Sequence, residues 1–226
     1  MCEGKNSNNL WFFLSLCDLD DMKKLLCITL FLLAASSMAD ADGVDPVREE
    51  WRRTWCQMGV DPALAESVVW PELQRYSAVR DVAETAANFG FCLIGEDGPD
   101  YSIGVFQMRP SFVEALEKAW IGSGLAEQYN ISFDVSDTLS AKSRRIGRMS
   151  SDSWQAVYVG IFIIMLYHSY ILAPLPIEDQ VRMSAAAYNR GCSWTEAGLG
   201  NVKSLRRHAG ARYSSTAWEH YKTIAE

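Results

Sequence analysis

The sequence is poor in the residues that build metal and disulfide sites. It has 6 cysteines and 3 histidines in 226 residues. No Cys-x-x-Cys pair occurs, and His168, His208 and His220 have no ligand-like spacing. A zinc site is therefore not expected, nor a small disulfide-stapled fold. Basic residues are also in deficit: 21 Lys and Arg against 28 Asp and Glu leave a formal charge of -7 and a pI near 5.1. Nucleic-acid binding needs a concentrated basic surface to displace counterions from phosphate, and this balance argues against it, as it does against any strongly anionic polymer. Strand signals, internal repeats, low-complexity tracts and Pro/Ser-rich linkers are lacking as well, which leaves one helical domain as the expected organisation.

The first 41 residues read differently from the rest. Met22-Lys23-Lys24, an apolar run from Leu25 to Ala35 and the stretch Ser36-Ser37-Met38-Ala39-Asp40-Ala41 form the three parts of a secretory signal in order. Export to the periplasm or cell envelope follows, with 1–21 as a non-native upstream extension, 22–41 as the signal peptide and 42–226 as the mature domain. Leu26 before Cys27 is not the small residue that a lipoprotein anchor requires. The mature part keeps Cys56, Cys92 and Cys192, an odd number, expected to act as small buried hydrophobes with at most one disulfide.

Within 42–226, helices are expected at Pro46 to Met58, from Pro62 towards Trp70 or beyond, and at Ala78 to Phe89, Arg109 to Trp120, Trp154 to Leu172 and Ile177 to Arg190. Val47, Trp51, Trp55 and Met58 line one face of the first. Asp61 is a good N-cap for the second, and Pro62 suits a first helical position, where the missing N–H costs nothing. The stretch from Trp154 to Leu172 is apolar nearly all round. Gln155, Tyr158, His168 and Ser169 interrupt it and no Lys or Arg anchors its end, so it reads as the buried central helix of a helical domain, with His168 a core histidine, and not as a membrane span. The basic cluster Lys142, Arg144, Arg145 and Arg148 reads as a solvated face.

Helical geometry singles out one acidic residue. At 100° per residue, Leu64, Val68, Ala65 and Val69 fall at about 0°, 40°, 100° and 140°, and Glu72 at about 80°, in the middle of that apolar stripe. Glu66 falls near about 200°, on the far side with Trp70, where a carboxylate is expected to be solvated. A carboxyl against apolar walls resists ionisation, so its pKa rises and it can serve as a general acid. Pro71 just before it is expected to kink or end the helix. Two further segments carry polar groups between bulky neighbours: Ser102-Ile103-Gly104-Val105-Phe106-Gln107-Met108-Arg109-Pro110, and Ala187-Tyr188-Asn189-Arg190-Gly191, where the glycine could act as a C′ cap.

In this order, Val68-Val69-Trp70-Pro71-Glu72, Gly104-Val105-Phe106-Gln107-Met108-Arg109-Pro110 and Ala187-Tyr188-Asn189-Arg190-Gly191 resemble the lytic transglycosylase (SLT) family of the lysozyme-like superfamily. In that family a helix ending in the catalytic Glu precedes a Gly-Leu-Met-Gln-Ile-Met-Pro-like segment and then Ala-Tyr-Asn-x-Gly. The resemblance spans about Asp61 to Gly191. It implies an all-α, lysozyme-like single domain acting on the glycan strands of peptidoglycan without metal or organic cofactor. Cleavage would fall between N-acetylmuramic acid and N-acetylglucosamine, with formation of a 1,6-anhydro ring. Glu72 would be the acid/base, Ser102 and Gln107 would hold the sugar, Tyr188 would orient Glu72 and Asn189 would support the turn.

The chain departs from the family pattern in three places. Leu73 stands where most relatives have Ser, while Glu66-Ser67 preserves a Glu-Ser pair, which makes Glu66 the reserve catalytic candidate. Ile103 replaces the Ser before the glycine, with Ser102 one place earlier. The separation of Glu72 from Gly104 is long for the family, consistent with an insertion near Ala83 to Asp100. Two other functions stay open: a hydrolytic muramidase in which Asp97 or Asp100 positions water, and a glycan-binding protein without catalysis.

Overall fold

Local signals start the helices. Asp45 and Asp61 each accept a hydrogen bond from the backbone N–H two residues on, at 3.1 Å from Val47 and 2.9 Å from Ala63, and a proline follows each cap. In this computed structural model, which describes residues 45–94, 99–170, 172–191 and 202–225, helix α1 spans Pro46–Gln57, α2 Pro62–Leu73 and α3 Ala78–Ile94. The chain continues through α4 (Pro110–Gly122), a short α5 (Leu125–Tyr129), α6 (Leu139–Met149) and α7 (Asp152–Tyr170). Helices α8 (Ile177–Arg190), α9 (Val202–His208) and α10 (Arg212–Ile224) complete it. The upstream extension, the signal peptide and Cys192 lie outside the described residues.

The fold is all-helical. Among the described residues there is no sheet, and the only β-type pairing is an isolated bridge between Ile103 and Met108. Helix α7 is the centre: 11 of its 19 residues are buried, and α1, α2, α4 and α6 pack around it. A helix apolar on every side needs neighbours on every side, and this arrangement supplies them. No single helix among the described residues is long and apolar enough to cross a membrane. His168 is exposed near the end of α7, not a core histidine: it lies on the face of the last turns that its neighbours leave open, while Leu166 and Tyr170 on the other side are buried.

Helices α2, α8 and α10 pack mutually as a second cluster. Trp51 and Trp55 of α1 reach between the two clusters, with Trp55 donating its indole N–H to the Ala156 carbonyl at 2.8 Å and Trp51 meeting Phe106 edge-on at 4.7 Å. Pro71 does not end α2. The helix runs on to Leu73 with Pro71 buried inside it, since packing against α8 and α10 holds the last turn where the proline withholds a donor.

The basic cluster is a solvated face only in part: Lys142 and Arg144 face solvent, but Arg145 and Arg148 turn inward. Arg145 is only 3% exposed and Glu117 is fully buried beneath it. The Glu117 carboxylate accepts from Arg145 at 2.8 Å, Arg148 at 2.6 Å and the Tyr158 hydroxyl at 2.5 Å, tying α4, α6 and α7 together. Such a network is stable only when each charge is matched, and the phenyl ring of Phe133 beneath the Arg148 guanidinium at 5.1 Å adds to it. Cys92 is buried as expected, whereas Cys56 is exposed, and both are free thiols.

Candidate functional site

A cleft of about 900 Å³ opens where α2, α3, α4 and α8 converge. Its wall includes Glu72, Ser102, Gln107, Tyr188 and Asn189, contributed by three segments distant in sequence. Glu72 sits in the last turn of α2, half-buried. Burial pushes its pKa above the ordinary carboxylate value, and the Arg75 charge, a hydrogen-bonding interaction with Tyr213 and the Arg80 charge offset only part of that rise. Its apolar stripe is as projected: Leu64, Ala65, Val68 and Val69 are all buried.

The segment that carries Gln107 is a tight turn clamped from below. Ile103 and Met108 exchange backbone hydrogen bonds at 2.8 and 3.2 Å, and the turn between them places Gly104 at φ 74° and Gln107 at φ 53°. Positive φ is ordinary for glycine and strained for glutamine. Gln155 of α7, fully buried, holds the turn in shape. Its side-chain oxygen accepts from the Phe106 N–H at 2.8 Å, and its nitrogen donates to the Ile103 and Met149 carbonyls at 2.7 and 2.5 Å. Asp81 of α3 accepts from the Gly104 N–H at 2.5 Å. Held in this way, Gln107 faces the cleft, with its side-chain oxygen accepting from Arg80 at 3.1 Å and its nitrogen donating to the Gly104 carbonyl at 2.9 Å.

Tyr188 fixes the opposite wall. Its hydroxyl donates to the Phe106 carbonyl at 2.7 Å, locking α8 to the turn, and its ring packs edge-on against Phe112 and Phe162. Burial, then the nearby Glu72 charge, raises its pKa well above the usual phenol value, so it acts as a neutral donor. Asn189 is exposed at the cleft margin. Gly191 closes α8 at φ 75°, ψ 152°, a conformation reserved for glycine but not the left-handed one of a C′ cap.

Sequence reasoning missed Tyr213. This buried residue of α10 donates its hydroxyl to the Val68 carbonyl at 3.2 Å and also interacts with the Glu72 carboxyl. Burial, then the Glu72 charge, raises its pKa well above the phenol value. Arg75 and Arg80 were missed as well, since their place beside the cleft depends on how α3 folds back from α2. No local pattern announces any of the three.

The reserve candidates are placed elsewhere. Glu66 is not solvated: it is fully buried outside the cleft, with its carboxylate hydrogen-bonded to Arg48, to Arg52 at 2.6 Å and to His220 at 3.0 Å. Burial would push its pKa up, but the hydrogen bonds from His220, Arg48 and Arg52 and the Arg48 charge prevail and take it down to about 2. It is an anion at neutral pH. Above it, the His220 ring stacks on Trp70 at 3.8 Å. Asp100 does not line the cleft; it accepts from the Ser111 backbone N–H at 2.9 Å and hydroxyl at 2.5 Å, serving the start of α4 where Arg109 provides no side-chain cap. Asp97 lies outside the described residues. Among the described residues, no group of three or more His, Cys, Asp or Glu is gathered to hold a metal ion.

Among the described residues the arrangement therefore offers one half-buried carboxyl, its pKa raised by burial, in a groove with amide, hydroxyl and phenol groups around it. The chain matches no family model, no curated protein and no solved structure.

Proposed function

We propose that the protein is a lysozyme-like lytic transglycosylase that cleaves peptidoglycan glycan strands, with Glu72 as the single acid/base. One observation carries the reading: the acidic side chain with a raised pKa opens into the same cleft as Ser102, Gln107, Tyr188 and Asn189. A shift towards the protonated form favours the first half of such a reaction.

Glu72 would give its proton to the oxygen between N-acetylmuramic acid and N-acetylglucosamine as the bond to the muramic C1 breaks. The muramic acid's own C6 hydroxyl then attacks C1, and Glu72, now a carboxylate, takes up the hydroxyl proton. The ring closes without water, and the enzyme returns to its starting protonation state. Arg75, Tyr213 and Arg80 favour the charged form and so support the second half of the cycle. Gln107 and Ser102 would bind the sugar, and Tyr188 would hold the Gln107 turn against α8. The substrate lies outside the cytoplasmic membrane, where the signal at 22–41 would deliver the chain.

Mass spectrometry of fragments released from purified peptidoglycan tests the proposal. Anhydro-muramic ends, lost on Glu72→Gln and kept on Glu66→Gln, are expected. Reducing ends would replace the transglycosylase by a hydrolase, and binding without release would replace it by a glycan-binding protein.

A further inference from the structure

The chain-wide acidity does not extend to the cleft. Among the described residues its lining holds one carboxyl, Glu72, and four arginines: Arg75, Arg80, Arg109 and Arg190. They come from four places in the fold, just past the end of α2, the first turn of α3, the residue before α4 and the last residue of α8. Elsewhere seven of ten arginines are neutralised, the exceptions among the described residues being Arg53, Arg207 and Arg212. Arg48, Arg52, Arg144, Arg145, Arg148, Arg182 and Arg206 each form an ion pair with a carboxylate. In the cleft, Arg80 has Glu84 at 3.6 Å, but no carboxylate of the described residues is within ion-pair distance of Arg75, Arg109 or Arg190.

Guanidinium groups left without counterions around a groove, on a protein of charge -7, form a local field suited to an anion. Their planar fork matches a carboxylate. The four have different duties. Arg75 and Arg80 act on the Glu72 carboxyl, and Arg80 also holds Gln107. Arg109 and Arg190 are not among the groups that shift Glu72. Both are exposed, and among the described residues the hydrogen-bonding contact of Arg190 is with His208.

We propose that the cleft selects glycan strands whose sugar substituents bear free carboxylates, and that Arg109 and Arg190 are the residues that recognise them. The inference rests on the reading of the cleft as a glycan site and adds a determinant of which glycans enter. Recognition is by the charge of the substituents: converting those carboxylates to amides leaves the sugar backbone unchanged and removes what the arginines bind.

The test compares soluble peptidoglycan strands with the same strands after carbodiimide amidation of their carboxyl groups. For the wild type, amidation is expected to raise KM by at least roughly tenfold, the scale of one charge-assisted hydrogen bond, with little change in kcat. An Arg109→Gln/Arg190→Gln variant should lose affinity for native strands by a similar factor and become indifferent to amidation. Arg109→Lys/Arg190→Lys should keep the discrimination, and matching circular dichroism spectra and melting curves show that the variants are folded. Co-sedimentation of Glu72→Gln protein with insoluble peptidoglycan, native and amidated, reads binding without turnover. Equal binding to both polymers overturns the carboxylate selectivity. Discriminating binding without any cleavage by the wild type keeps it and overturns the transglycosylase reading.

Discussion

Gln155 leaves Gly104 no room for a side chain: a β-carbon on residue 104 would stand 1.5 Å from the glutamine's amide nitrogen. The glycine is also at φ 74°, so a larger residue would meet both a clash and backbone strain. Gly104→Ala is expected to displace Gln155 from its buried hydrogen bonds and to cost about 3–5 kcal/mol, read as a lower denaturant midpoint. Full stability of that variant would show that the clamp is looser than described.

Tyr213 favours the ionised form of Glu72. Removing the phenol oxygen in Tyr213→Phe therefore raises the Glu72 pKa further. If Glu72 must be protonated to start the reaction, the alkaline limb of the kcat/KM profile moves to higher pH. A shift to lower pH, or none, would contradict the role given to Tyr213.

A carboxyl whose pKa is raised on folding destabilises the fold when it is ionised. Stability from Glu72 is greatest below the unfolded value near 4.5 and declines as pH rises through the higher folded value. Glu72→Gln should accordingly melt at higher temperature than the wild type at pH 8, by about 0.5–2 kcal/mol of added stability, with the gap closing at pH 4. Turnover should vanish at both.

Glu66 has the opposite sign. Its folded pKa is lowered from 4.5 to about 2, so its contribution is fully present above the unfolded value and is lost as pH falls through about 2. Glu66→Gln would leave Arg48, Arg52 and His220 around a neutral amide. A loss of about 3–5 kcal/mol is expected at pH 7, together with a flatter dependence of stability between pH 4.5 and 2 in urea titrations.

Much of the helical framework was legible from the sequence because its signals are local. The Asp61–Pro62 start and the stripe through Val68 and Val69 need only neighbouring residues to be read, and Ile177–Arg190 runs as expected. Helix α6 escaped notice because Arg145 occupies a buried position where an apolar residue would mark the face; its partner Glu117 lies 28 residues away. Glu66 illustrates the same limit. Projection assigned it correctly to the side of α2 away from the stripe, but that side is covered by α1 and α10, and His220 is 154 positions distant. The Ser102, Gln107 and Tyr188 segments could be named because each has a compact pattern. Their common lining of one cleft depends on the Gln155 clamp, and no sequence period encodes that.

Tyr213 and Val68 are separated by 145 positions, so the helix carrying Tyr213 leaves the ribosome well after α2. A nascent chain that has made α2 but not α10 would hold Glu72 in a wetter setting, without the phenol beside it. Contacts of such long range also close late in folding. The surroundings of Glu72 are thus completed only after α10 has docked, and a translation product that stops before residue 213 would lack the Tyr213 contact with the carboxyl.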